Sequence, residues 1–122
     1  SANNDIRIIL DNDATGSEYA TRRNTNGGAD GTLTSRDYIQ LITSQGAQDH
    51  FTITDFVNID GEEALCIMHS MQAGSAGAGN APNRMENVAK TSRTTQFTVI
   101  DVFTSSTATM AADSNLSAIG SD

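Results

Sequence analysis

Period-two alternation of apolar and polar positions is the dominant signal along the chain. Between Asp5 and Asp11, the residues Ile6, Ile8 and Leu10 fall on one side with Arg7 opposite, the spacing of a half-buried strand. The turn formers of residues 11–16 follow, and Glu18 to Arg23 reads as a short polar strand. Three glycines between Asn24 and Gly31 mark an exposed loop or tight hairpin. From Thr32 to Thr43, the positions of Leu33, Tyr38, Ile39, Leu41 and Ile42 fit a short helix and a bent strand equally well. Ser35 is placed to cap such a helix, with Asp37 in its first turn.

In the next stretch Phe51, Ile53, Val57 and Ile59 share one face, and Asp60-Gly61 follows directly, a strong hairpin signal. The predicted return strand, Glu63 to Met71, is apolar on both faces through Leu65, Cys66, Ile67 and Met68. That pattern predicts a central strand buried on both sides, and makes this hairpin the expected heart of the fold. Gln72 to Asn83 holds three glycines and the only proline without periodicity, so a long loop is expected there. Thr91 to Thr104 ends in a predicted strand with Phe97, Val99 and Phe103 on one face and Ile100 and Val102 on the other. The pattern F-T-[IV]-x-D occurs at Phe51–Asp55 and again at Phe97–Asp101, the mark of two core strands obeying one alternation rule or of a pseudo-symmetric pair of strands in one sheet or sandwich. Beyond residue 104 the chain is small and polar, with Met110, Leu116 and Ile119 as its apolar anchors. The expected organisation is one β domain over residues 1–104 and a polar C-terminal arm over residues 105–122.

Composition sharpens this picture. Of 122 residues, 37% are hydrophobic and 5% aromatic, with no Trp, so the core is expected to be thin and to gain from assembly with neighbours. A formal charge of −8 has the wrong sign for neutralising phosphates, which argues against nucleic acid and anionic membrane as partners. The single cysteine, Cys66, sits in an apolar run and reads as a small buried hydrophobe. No apolar stretch approaches the ~20 residues of a membrane span, and Ser1 fits cytoplasmic synthesis with a trimmed initiator Met.

Several residue groups have spacings that bear on chemistry. Asp11-x-Asp13-x-Thr15-Gly16 resembles the opening of a calcium loop, but Arg22 stands where an EF-hand needs a bidentate Glu, so Asp11, Asp13 and Thr15 form only a weak metal candidate. Cys66 and His69 would point to opposite faces of a strand and lack partners for a tetrahedral site. His50 beside Asp49 lacks a serine in a nucleophile setting. Asp60, Glu62 and Glu63 cluster at a turn without aromatic surface to stack a sugar. No Gly-rich loop leads into a phosphate-binding Lys, so neither a catalytic residue nor a cofactor is expected.

The basic residues Arg84, Lys90 and Arg93 flank the glycine loop, whereas Asp49, Asp55, Asp60, Glu62 and Glu63 fall in a stretch without Lys or Arg. Complementary patches of this kind serve binding to copies of the same chain or to another protein. Gly74, Gly77, Gly79, Arg84, Lys90, Arg93, Leu116 and Ile119 are therefore the expected interface residues. The fold class expected is all-β, an antiparallel sandwich or barrel, jelly-roll-like, with at most one short helix and an extended C-terminal arm. In its Thr/Ser/Asn/Gly-rich strands and in segments such as Thr104-Ser105-Ser106-Thr107, the chain resembles the small decoration, cement or tail proteins of tailed bacteriophages. The resemblance implies a non-enzymatic virion component built from repeated copies or docked on a larger protein assembly. A small β module binding carbohydrate or peptide, with calcium at Asp11 and Asp13, is the alternative.

Overall fold

The architecture follows from strands that each have one side suited to the interior. The computed structural model describes residues 5–43, 48–105 and 110–120. Among them run β1 (Ile6–Leu10), β2 (Tyr19–Thr25), β3 (Gly31–Arg36), β4 (Ile39–Ile42), β5 (His50–Val57), β6 (Leu65–Gln72), β7 (Asn83–Thr91) and β8 (Ile100–Thr104), with no helix. Ser1 and the Ser106-Thr107 part of the C-terminal segment lie outside the described residues.

The strands form two antiparallel sheets, ordered β4-β1-β8 and β3-β2-β7-β6-β5. The sheets do not close into a barrel, so the sandwich is the realised member of the expected pair. Between them lies a core of Ile8, Leu10, Tyr19, Ile39, Leu41, Ile42, Cys66, Met68, Met85 and Ala89, with Phe56, Phe97, Ile100 and Val102 packed at its margin. Phe56 and Phe97 meet edge to face at 5.3 Å between ring centroids, an arrangement their quadrupoles favour.

Residues 32–43 are neither one helix nor one strand. The chain runs along β3 in the large sheet, bends through Asp37 and Tyr38, and enters β4 in the small one. Ser35, expected as a helix cap, has a φ of +53° near the end of β3 and helps the strand leave its sheet. Arg7 of β1 lies over the Tyr38 ring at 3.8 Å and holds the bend from outside.

The β5–β6 hairpin forms in the expected place, with Asp60-Gly61 at its turn. Glu62 N–H donates to the Ile59 carbonyl at 3.1 Å, and Gly61 has a φ of +85°, a conformation natural to glycine. The expectation of burial on both sides is overturned. β6 stands next to the edge strand β5, and only its Cys66, Met68, Ser70 and Gln72 side is buried. The small sheet covers one face of the larger sheet, and no described element covers the other.

The middle strand of the large sheet, β7, was not predicted as a strand. Its inward positions are Met85, Asn87, Ala89 and Thr91, which lack a run of β-branched or aromatic bulk. Conversely, the predicted strand ending at Thr104 is shortened to β8. Residues 92–99 are irregular, so the second copy of the F-T-[IV]-x-D pattern starts outside any strand and ends in the small sheet.

The polar residues of the interior have specific work. Asn87 donates through Nδ2 to the carbonyls of Gln40 at 3.2 Å and Leu41 at 2.8 Å, and the Ser70 hydroxyl reaches the Leu41 carbonyl at 3.4 Å. These bonds satisfy backbone acceptors of β4, an edge strand, that burial would otherwise leave unpaired. Arg23 donates to Gln40 Oε1 and Thr43 Oγ1 and closes the same seam from β2.

Candidate docking surface

The outer face of the large sheet is built by the odd positions of β5 and β6 and the even positions of β7, because alternate residues of a strand point to opposite sides. The register sets Phe51 opposite Met71, Ile53 opposite His69, Asp55 opposite Ile67 and Val57 opposite Leu65. It continues into β7 with Met71 opposite Arg84, His69 opposite Glu86, Ile67 opposite Val88 and Leu65 opposite Lys90. Phe51, Ile53, Val57, Leu65, Ile67, Met71 and Val88 therefore form one apolar field, and Phe51 is 60% exposed. Ile59 extends it past the end of β5. Together these half-exposed residues present on the order of 600 Å² of apolar surface, the upper end of what single chains leave in water.

The inner face of the same sheet carries the core residues Tyr19, Cys66, Met68, Met85 and Ala89 and also buries the polar Thr21, Ser70, Gln72, Asn87 and Thr91. Beside the apolar field is a shallow open hollow of about 370 Å³, whose walls include Arg22, Asn24, Ile67, His69 and Val88.

Charged side chains ring the field and pair within the chain. Lys90 meets Glu63 at 2.6 Å, Arg22 meets Asp30 at 3.3 Å, and Arg84 lies 3.8 Å from Glu86. The basic residues sit on the β7 and β2 side, while Asp55 on β5 makes no ion pair among the described residues.

Of the expected interface residues, Arg84 and Lys90 stand on this face. Gly74, Gly77 and Gly79 lie in the connection 73–82 between β6 and β7. Its local bonds are Asn80 N–H to the Gly77 carbonyl and Asn80 Nδ2 to the Ala76 carbonyl. Leu116 and Ile119 are exposed in the C-terminal segment 110–120. Arg93 does not join the other two cations: it is turned towards the β1–β2 turn, between the carboxylates of Asp11 and Asp13 at 3.5 and 3.6 Å. The alternation of β5 and β6 predicts core residues, and alternation alone does not distinguish a core from an exposed apolar face.

The structure brings Asp11 and Asp13 together, and the cation they share is the Arg93 guanidinium. Asp11 Oδ1 also accepts from Thr98 N–H at 2.8 Å and Val99 N–H at 3.0 Å, and the Thr98 amide chiefly holds its carboxyl below the ordinary value of 3.8. Asp13 Oδ1 accepts from the Thr15 hydroxyl and amide, which depress its pKa in the same direction, with Arg93 adding to the effect. Thr15 thus donates into Asp13. Tyr19 completes the latch, its hydroxyl accepting from Leu10 N–H at 3.1 Å and donating to the Asp13 carbonyl at 3.3 Å.

Cys66 and His69 lie on opposite sides of β6. Burial pushes the Cys66 thiol up to about 12, while His69 is exposed between Ile53 and Glu86. Burial also lowers the pKa of His50, at the start of β5. Among the described residues, no group of three or more His, Cys, Asp and Glu is placed to hold a metal ion, and no helix is long and apolar enough to cross a membrane. Comparisons with protein-family models, curated proteins and solved structures return no match to this chain.

Proposed function

We propose that the chain is a non-enzymatic structural assembly subunit that binds other protein subunits through the outer β5–β6–β7 face. The observation that carries this reading is the exposed apolar face of the large sheet, which leaves Phe51, Ile53, Leu65 and Ile67 in water. Water contact with that much contiguous apolar surface is unfavourable, and covering it with a partner recovers the hydrophobic free energy the fold leaves unused. The narrower proposal, a capsid decoration, cement or tail component of a virion, rests on the Ser/Thr/Asn/Gly-rich composition.

Site-specific photocrosslinking in the cells that make the chain tests the docking role. A benzoylphenylalanine replacing Ile67 should capture another polypeptide, whereas one replacing Ile9, on the outer side of the small sheet, should not. Absence of any protein adduct at position 67, or equal capture from position 9, would remove the basis for the reading.

A further inference from the structure

We infer that the occupant of the β5–β6–β7 face is a second copy of this chain, packed sheet against sheet about a two-fold axis. The inference rests on the docking role proposed above and names its partner.

Charge is the first argument. The whole chain carries −8, yet on this face Arg22, Arg84 and Lys90 are met by Asp30, Glu86 and Glu63. The acid excess lies mainly elsewhere, so two copies approaching through this face meet far less repulsion than through any acidic surface. The remaining asymmetry is complementary. The apolar field has Asp55, without an ion pair among the described residues, on its β5 side, and the ion-paired cations on its β7 and β2 side. A two-fold axis running along the strands lays the β5 side of each copy towards the β7 side of the other, as an isologous contact requires.

Area is the second. On the order of 600 Å² of apolar surface, with the stems of Lys90, Arg84 and His69 around it, approaches the roughly 800 Å² per partner of a stable interface.

Face-to-face packing is also the mode the surface favours over edge pairing. Adding strands along the free edge of β5 would satisfy its outward backbone groups but leave the apolar field wet. Stacking two such faces about 10 Å apart covers it, as in the packing of sheets within a sandwich.

The test is sedimentation of the purified full chain over a roughly hundred-fold concentration range, with the Ile67→Lys, Ile53→Lys and Ile9→Lys variants. The wild type should show a monomer–dimer equilibrium. Ile67→Lys and Ile53→Lys should each weaken it roughly 30-fold or more, and Ile9→Lys, on the outer side of the small sheet, should leave it unchanged. Circular dichroism confirms that each variant keeps its β signature, which these half-exposed positions allow. A wild type that stays monomeric throughout overturns the second-copy assignment, while photocrosslinking from position 67 to a different protein would still uphold docking. A dimer unaffected by both face variants overturns the assignment of this face.

Discussion

Ile67 of β6 and Val88 of β7 face each other across the ladder, and each keeps about half its surface in water, 54% and 48%. One step along, Met68 and Asn87 also face each other, and both are buried. Two adjacent rungs thus separate what the monomer needs for its own stability from what it presents to the outside.

Adjacent substitutions on β6 should therefore behave very differently. Met68, 0% exposed, should cost about 2–5 kcal/mol when changed to Ala, through lost burial and a residual cavity. Ile67→Thr, beside it, should cost about 1 kcal/mol or less, because the side chain is already half hydrated and Thr keeps β-branching. Urea denaturation at low protein concentration, where the proposed self-association would not contribute, measures both.

Asn87→Ala should destabilise the chain by about 2 kcal/mol although it removes no apolar contact of consequence. The loss comes from the buried carbonyls of Gln40 and Leu41, which Asn87 Nδ2 serves. Equilibrium unfolding gives the magnitude, and faster amide hydrogen exchange along β4 would locate the effect.

The Asp11–Arg93–Asp13 latch predicts acid sensitivity. Both carboxyls have depressed pKa values in the folded chain, so they bind protons less readily there than when unfolded. Their stabilisation is complete above the ordinary value of 3.8 and is lost as pH falls through the lower folded values. Asp11→Asn should lower the melting temperature at pH 7, and its difference from wild type should shrink below about pH 4. A difference independent of pH would separate the latch from acid unfolding.

The Cys66 thiol, buried and raised to about 12, should react with a disulfide reagent only as the chain unfolds. Native protein at pH 8 should show a lag set by the opening rate, and denaturant should abolish that lag. Immediate stoichiometric labelling would contradict the placement of Cys66 on the inner side of β6.

The sequence pattern made some of this fold legible and concealed the rest for definable reasons. Alternation at Ile6, Ile8 and Leu10 located β1 and its inward side, and Asp60-Gly61 located the hairpin turn. β7 was hidden because Asn87 and Thr91 serve the interior through hydrogen bonding and compactness, properties a hydrophobic pattern does not register. The face of β5 and β6 was visible as an apolar set but was assigned to the core, since both cores and interfaces are written with the same residues. Arg93 was grouped with Arg84 and Lys90 by proximity in sequence, whereas the irregular segment 92–99 turns it towards Asp11 and Asp13.

The division of β6 into two sides also has an evolutionary consequence. Inward positions such as Cys66 and Met68 answer to a constraint that every isolated molecule experiences, whereas Leu65, Ile67 and Met71 answer to whatever surface they meet. Substitutions of the first kind are judged within one gene product, and those of the second, under the proposed docking role, only in concert with changes on the opposing surface. Drift along this strand should therefore proceed at two rates, alternating residue by residue.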